Sequence, residues 1–102
     1  MKKIINGRKY NTETATKVAE WSNDYGPNDF RYCIEVLYRK RTGEYFVHGE
    51  GGAMSCYAKA AYGGGYFGGE SIVPLTSDEA REWGERHMDV DDYEAEFGEV
   101  DE

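Results

Sequence analysis

The sequence predicts a small α+β domain, because one long stretch alternates like a β-strand and the C-terminal part carries helix signals. Residues 30–39 alternate between apolar and polar side chains, which is the period of a half-buried strand. Thr76 and Glu79 have the spacing of a capping box, which marks the start of a helix. A chain of 102 residues is long enough for one modest core. We therefore expect a single domain over residues 1–102, with residues 98–102 as a flexible acidic tail.

The N-terminal part predicts a β-hairpin followed by a short helix. Asn6-Gly7 favours the positive φ angles of a tight hairpin turn, so residues 2–5 and 9–11 are predicted to pair. Thr12 is a suitable N-cap, and apolar residues then recur at helical spacing. This pattern predicts a helix from about residue 13 to residue 22.

The central part predicts a second hairpin and one later strand. Thr42-Gly43 turns the strand at residues 30–39 into an alternating stretch at residues 44–48. Residues 71–75 then have the composition of another short strand. The expected architecture is a small antiparallel sheet made of the N-terminal hairpin, the central hairpin and this later strand. One N-terminal and two C-terminal short helices complete it.

The last predicted helix carries acidic residues on a docked element rather than on a loose tail. Asp89 or Asp91 caps it, and Gly98 ends it. An apolar stripe at helical spacing, made of Val90, Tyr93 and Phe97, gives it a face to bury.

The charge is concentrated at the C-terminal end. The chain has a formal net charge of -8, but acids and bases balance over residues 1–88. Such a chain is a poor nucleic-acid binder, and we expect no direct binding to duplex DNA. An acidic end could attract a basic protein groove, or it could simply be a solvated tail. The excess comes from Asp89, Asp91, Asp92, Glu94, Glu96, Glu99, Asp101 and Glu102.

The N-terminal residues and the number of cysteines indicate the cellular compartment. The first ten residues have no apolar h-region, so they are not a signal peptide, and no stretch is apolar enough to span a membrane. Two cysteines make no disulfide framework. We expect a cytoplasmic protein with free thiols and no membrane association.

A glycine-rich and aromatic stretch at residues 48–70 raises the question of a nucleotide site. Residues 63–68 match G-x-G-x-x-G, but a phosphate cradle needs a strand before the glycines and a helix after them. Here the preceding AKAAY looks helical and the following ESIVP looks like a strand, so the order is reversed. The stretch is interpreted as a connecting loop whose aromatic residues either cap the core or meet a partner.

Metal binding and catalysis have weak support. Cys33, Cys56, His48 and His87 are the only thiols and imidazoles, and their spacing contains no zinc-binding pair such as C-x2-C or H-x3-H. Cys56 with His48 is the only candidate for a nucleophile and its base. We expect no enzyme activity, no metal and no cofactor.

Three segments of the chain resemble a small domain from plasmids and other mobile elements of Firmicutes. They are NGRKYNTETATKVAEW, LYRKRTGEYFVHGEGGAMSCYA and GGESIVPLTSDEAREWGERHMDVDDYEAEFG, which together cover most of the sequence. That domain occurs alone or fused in several type II-A anti-CRISPR proteins, which inhibit the Cas9 nuclease.

The resemblance implies a non-enzymatic inhibitor that binds Cas9, or its complex with guide RNA, and blocks nucleic-acid engagement. The alternative is an accessory or regulatory module of mobile elements with another protein partner. Residues 1–88 are neutral, with basic clusters in the N-terminal hairpin and at residues 39–41, which leaves room for contact with guide RNA. From charge and composition alone, the candidate partner-binding residues are Asp89, Asp91, Asp92, Glu94, Glu96, Tyr62, Tyr66 and Phe67.

Overall fold

The computed structural model describes residues 1–102 and confirms the α+β class. Eight strands are followed by two helices in chain order. The strands are β1 (Lys2–Ile5), β2 (Arg8–Asn11), β3 (Thr16–Ser22), β4 (Cys33–Arg39), β5 (Tyr45–Gly51), β6 (Lys59–Ala60), β7 (Tyr66–Phe67) and β8 (Gly69–Leu75). The helices are α1 (Ser77–His87) and α2 (Val90–Phe97).

The main sheet has four antiparallel strands in the order β3-β4-β5-β8. The two expected hairpins are confirmed: β1 pairs with β2 through Asn6-Gly7, whose φ angles are 52° and 77°, and β4 pairs with β5. They do not share one sheet as expected, because β1 and β2 form a two-stranded sheet of their own. The predicted strand at residues 71–75 is also confirmed, as part of β8 on the far side of β5.

One face of the sheet is covered by the two helices. Leu37 of β4 and Val47 of β5 are buried there against Ala80 and Trp83 of α1. Phe97 of α2 packs against the same cluster. This cluster is the larger of two, and it fixes α1 to the centre of the sheet.

The opposite face is covered in part by the β1–β2 hairpin. Side chains alternate along a strand, so Phe46 of β5 and Ile72 of β8 point away from the helices. Both are buried beneath Tyr10 of β2, whose ring meets the edge of Phe46 with a centroid distance of 5.5 Å. Tyr38 stacks on Phe46 from the neighbouring strand at 5.2 Å. The hairpin is thus held by an aromatic group of three rings.

The predicted helix at residues 13–22 is wrong, because this segment contains the edge strand β3. Its pairing with β4 shifts register between Lys17 and Ala19, which identifies Val18 as the extra residue of a β-bulge. The bulge lets Val18 and Ala19 both pack on the helix-covered cluster, with Trp21 following two residues later. Apolar residues at 18, 19 and 21 therefore imitate helical spacing although the backbone is extended.

The helical appearance of AKAAY is also wrong. Lys59 and Ala60 form β6, which pairs with β7 in a two-stranded ribbon. The turn of this ribbon contains Gly63, Gly64 and Gly65, with φ angles of 91°, 113° and 75°. Such angles favour glycine and exclude a helix at this point. No helix follows the glycines, since the strands β7 and β8 come next.

Both C-terminal helices begin where their capping residues predict. Thr76 Oγ1 accepts the backbone N–H of Glu79 at 3.1 Å, and the Glu79 carboxylate accepts the N–H of Thr76 at 2.9 Å. Asp89, rather than Asp91, caps α2 by accepting the N–H of Asp92 at 2.9 Å. With 11 and 8 residues, neither helix has the length or apolar run to cross a membrane.

Leu37 is fully buried between the sheet and α1, so truncating it tests the core directly. Leu37→Ala is expected to lower the free energy of unfolding by about 2–5 kcal/mol, through lost burial and the cavity left behind. Val100→Ala, at an exposed position, is the matched control and should change it by less than about 0.5 kcal/mol. Urea denaturation followed by Trp fluorescence measures both, and equal effects would contradict this core assignment.

Candidate functional site

The first turn of α2 displays three exposed carboxylates. Asp89, Asp91 and Asp92 are all exposed, and Asp89 is fixed by its capping hydrogen bond to Asp92. Negative charge near a helix N-terminus is favoured by the helix dipole, so these acids also stabilise the helix that carries them. They form no ion pair within the chain. Their charges are therefore available to a partner.

Glu96 has a different environment, because its carboxylate points back to the sheet. It accepts hydrogen bonds from Arg39 Nη1 at 2.5 Å and from the Tyr45 hydroxyl at 2.6 Å. Its side chain is 12% exposed. Burial and the Glu96 carboxylate raise the pKa of Tyr45 to about 12. Glu96 anchors the C-terminal end of α2, and its charge is neutralised by Arg39.

Glu94 is neither free, like the acids of the first turn of α2, nor ion-paired, like Glu96. It is half-buried, and its Oε2 accepts the backbone N–H of Val100 at 3.1 Å. Residues 98–102 follow α2 without helix or strand, and Val100 and Asp101 line a hollow together with Glu85 of α1. The acidic C-terminal segment is thus placed beside α1.

The helix α1 adds acidic residues that the sequence interpretation missed. Asp78, Glu82 and Glu85 stand at i, i+4 and i+7, which is one face of a helix. They line a hollow of about 570 Å³ that Glu99 and Asp101 close on the other side. Arg81 also lines this hollow, as its one base among five acids. The charge balance over residues 1–88 hid the acids of α1, because bases elsewhere in the chain offset them in the count. We call Asp78, Glu82, Glu85, Asp89, Asp91, Asp92, Glu99 and Asp101 the acidic surface.

The aromatic candidates lie on the β6–β7 ribbon. Tyr62 is fully exposed, Tyr66 is 69% exposed and Phe67 is 52% exposed. They do not cap the core, which was one of the two roles left open for them. Tyr66 and Phe67 are consecutive residues of β7, so their rings point to opposite sides of the ribbon, and Tyr62 lies in its turn. We call Tyr62, Tyr66 and Phe67 the aromatic ribbon.

The remainder of the glycine-rich stretch packs on the helix-covered face of the sheet. Gly49 stands directly opposite Glu35 in the β4–β5 register, and a Cβ there would collide with the ring of Tyr57. The missing side chain lets the Tyr57 hydroxyl donate to Glu35 Oε2. Gly51 admits Ser55 in the same way, opposite Cys33. The glycines before the ribbon therefore serve close packing and not phosphate binding.

Glu35 is the centre of a polar cluster that the sequence did not reveal. Trp83 Nε1 donates to its Oε1 at 2.9 Å, and His87 Nε2 lies 3.9 Å from the same oxygen. The His87 ring lies against Trp21, with a centroid distance of 4.4 Å, and its Nδ1 is buried without a hydrogen-bond partner. Burial and the hydrogen bond to Glu35 raise the pKa of Tyr57 far above its usual range. The cluster ties β4 to α1 and to the glycine-rich segment.

The four sulfur and imidazole side chains do not converge on one site. His48 lies on the opposite face of β5, 3.5 Å from Glu70, whereas Cys33 and His87 lie on the helix-covered face. Cys56 is exposed, whereas Cys33 is buried. Burial is the main cause that raises the pKa of the Cys33 thiol to about 12, and the neighbouring Cys56 thiol is the second cause. A Cys56–His48 dyad is therefore not assembled, and no group of three potential ligands is placed to hold a metal ion.

Comparison with protein-family models, with curated proteins and with solved structures gives no match for this chain.

Replacing Tyr57 tests whether Glu35 holds the glycine-rich segment in place. Tyr57→Phe keeps the ring beside Gly49 but removes the hydroxyl that donates to the carboxylate. We expect the free energy of unfolding to fall by about 1.5–3 kcal/mol, the usual range for a hydrogen bond to a charged group. Tyr66→Phe, at an exposed position, is the control and should have almost no effect. Two small effects of equal size would contradict the role given to Glu35.

His87 predicts a pH dependence of stability. Burial lowers the pKa of its imidazole below the ordinary value of 6.5; Glu35 opposes this shift and Arg86 adds to it. Between the two pKa values the unfolded chain binds more protons than the folded one, so stability rises with pH there. This contribution is complete above about pH 6.5 and is lost as the pH falls towards the folded pKa.

Urea unfolding at pH 7.5 and 5.5 measures this effect. The loss of stability at pH 5.5 should be larger for the wild-type protein than for His87→Gln, since other titrating groups are common to both. An identical pH dependence in the two proteins would show that His87 is not the group responsible.

Proposed function

We propose that this protein is a non-enzymatic inhibitor of Cas9, which binds the nuclease or its guide-RNA complex and blocks nucleic-acid engagement. The observation that supports the proposal is the acidic surface, which spans two helices packed on the sheet and keeps most of its carboxylates unpaired. The resemblance of three long segments to a domain of type II-A anti-CRISPR proteins points to the same partner.

The electrostatic argument rests on what Cas9 must do. Its guide RNA and target strands lie in positively charged channels. An ordered array of carboxylates is attracted to such a surface, which raises the association rate and makes the affinity depend on salt. Because the array lies on folded helices, less conformational entropy is lost on binding than for a disordered acidic tail. Occupying a channel in this way excludes the nucleic acid.

Within the acidic surface we assign binding to the first turn of α2 and the outer face of α1. Glu96 is left out of this assignment because Arg39 and Tyr45 already use its carboxylate. Glu94 belongs to the folded structure as an acceptor for Val100. Asp89, Asp91 and Asp92 are the main electrostatic contacts.

The aromatic ribbon supplies the second part of the proposed interface. Tyr and Phe side chains bury large areas with few rotatable bonds, and they are enriched among the residues that dominate interface energies. On a hairpin that projects from the sheet, Tyr62 and Tyr66 could enter a cavity of a partner protein. The ribbon anchors the complex, and the acids orient it.

An accessory or regulatory module of mobile elements, bound to a protein other than Cas9, is the second candidate. The neutral balance of residues 1–88 favours it, since a mimic of duplex phosphates would be acidic over a whole face. Both candidates share a site of action in the bacterial cytoplasm and a protein partner.

A cleavage assay with several type II-A Cas9 enzymes tests the proposal. The protein is added in excess either before or after guide RNA. Dose-dependent loss of DNA cleavage is expected, and loss only with early addition identifies guide loading as the blocked step. No inhibition of any enzyme in either order would overturn the proposal and favour the second candidate.

The role of the acids is tested by the triple variant Asp89→Asn/Asp91→Asn/Asp92→Asn. Asn is as good an N-cap as Asp, so α2 should stay folded. We expect potency to fall at least about tenfold, equivalent to about 1.4 kcal/mol of binding free energy. The control Glu13→Gln/Glu20→Gln/Asp24→Asn removes the same number of charges from exposed positions elsewhere and should retain potency. Unchanged potency of the first variant would shift the interface to the aromatic ribbon.

A further inference from the structure

A basic cleft lies on the sheet face opposite the helices. It has a volume of about 260 Å³ between the β1–β2 hairpin, the loop after β2 and the β4–β5 turn. Its lining contains three cations and no carboxylate. The lining residues are Lys9, Asn11, Thr14, Ala15, Lys40, Arg41 and Thr42.

The cations of this cleft differ in how they are held. Lys40 is fixed, because its Nζ lies 4.2 Å from the centre of the Tyr10 ring and 3.7 Å from Glu44. Lys9 and Arg41 are exposed and form no ion pair within the chain. The nearby carboxylate of Glu44 is already occupied by Arg8 and Lys40. Two free positive charges therefore flank one ordered positive charge.

Asn11 adds a hydrogen-bond donor to the three cations of the cleft. The residue is only 7% exposed, and its Oδ1 accepts the N–H of Glu13 at 2.9 Å. Its amide nitrogen donates to no group of the protein and reaches solvent in the cleft, since it is not among the buried side-chain atoms that lack a partner. An acceptor bound in the cleft would satisfy it. A site that offers hydrogen-bond donors and cations but no carboxylate favours an oxyanion as its ligand.

We infer that this cleft binds a phosphodiester of a single-stranded nucleic acid backbone. Its volume suits one phosphate with part of its sugar, and Lys2 and Lys3 of the same hairpin extend the positive charge beyond it. Over residues 1–15 and 40–44, six bases face two carboxylates. Lys9 and Arg41 pair with the phosphate, and Asn11 donates to it. The inference is independent of Cas9 inhibition, since it concerns the isolated protein.

The affinity of such a site is set mainly by charge. Contacts to phosphate alone are independent of base sequence and weaken as salt rises. The acidic surface lies on the opposite face of the sheet, so a short flexible strand can engage the cleft without meeting it. We expect dissociation constants of about 10⁻⁴ to 10⁻⁶ M, the usual range for non-specific binding.

Fluorescence anisotropy with a labelled 15-nucleotide oligo(U) RNA, and with oligo(dT) of the same length, tests the site at 50 mM and 150 mM salt. Binding is expected to both probes, weaker at the higher salt. Tighter binding of the RNA would indicate a further contact to its 2′-hydroxyl group. Equal binding of RNA and DNA would show that the phosphate alone is recognised. No binding of either probe at 50 mM salt would overturn the inference.

Two variants locate the site. Lys9→Gln/Arg41→Gln should weaken binding about tenfold and lower the salt slope by about 0.7, because the one phosphate that both cations contact is no longer neutralised. The matched control Lys59→Gln/Arg81→Gln removes two exposed cations far from the cleft and should bind nearly as the wild type does. Equal weakening in both would mean that net charge, and not the cleft, determines binding.

Asn11→Asp provides a second and separate test. It keeps the oxygen that accepts the Glu13 N–H, so the loop geometry is retained, but it replaces the free amide by a negative charge. Binding should be lost while thermal unfolding changes little. Retained binding in a folded Asn11→Asp protein would contradict the placement of the phosphate.

Discussion

The carboxylate of Glu35 joins three parts of the molecule that the chain leaves separate. It sits in the middle of β4, and it accepts hydrogen bonds from Tyr57 of the glycine-rich segment and from Trp83 of α1. A half-buried charge is costly unless it is well hydrogen-bonded, so its two donors and the surrounding packing stabilise each other. Gly49 makes this arrangement possible, because any side chain there would displace Tyr57. The positions of the aromatic ribbon and of α1 depend on these hydrogen bonds of Glu35. The position of the acidic surface depends on them too, because α1 carries part of that surface.

The sequence was sufficient to predict those elements whose ends are set by interactions between residues close together in the chain. Asn6-Gly7, the Thr76–Glu79 capping box and the Asp89 and Gly98 caps each act within a few residues, and each element begins or ends where they predict. The edge strand β3 could not be found in this way. Its apolar pattern is distorted by the bulge at Val18, and only pairing with β4, a tertiary interaction, makes it a strand. The β6–β7 ribbon was missed because only two residues pair on each side.

The candidate site was predictable in composition but not in geometry. The excess of acids and the exposed aromatic residues can be read from the sequence, yet nothing in it separates Glu96, which is bound to Arg39, from Asp91, which is free. The i, i+4, i+7 spacing of Asp78, Glu82 and Glu85 was the signal that could have extended the surface to α1. The cluster around Glu35 gave no signal, because its members are spread from residue 21 to residue 87.

The sheet separates charges that would otherwise cancel. The acidic surface lies with the helices on one face, and the basic cleft lies beneath the hairpin on the other. Stacked layers lie about 10 Å apart, which already exceeds the Debye length of about 8 Å at physiological salt, so each surface acts on its own surroundings. The net charge of -8 therefore describes neither surface well. Under the two proposals above, a basic groove of the partner protein contacts one side of the sheet while a nucleic acid strand contacts the other. Simultaneous contact would raise the affinity of both through effective concentration, without a new interaction.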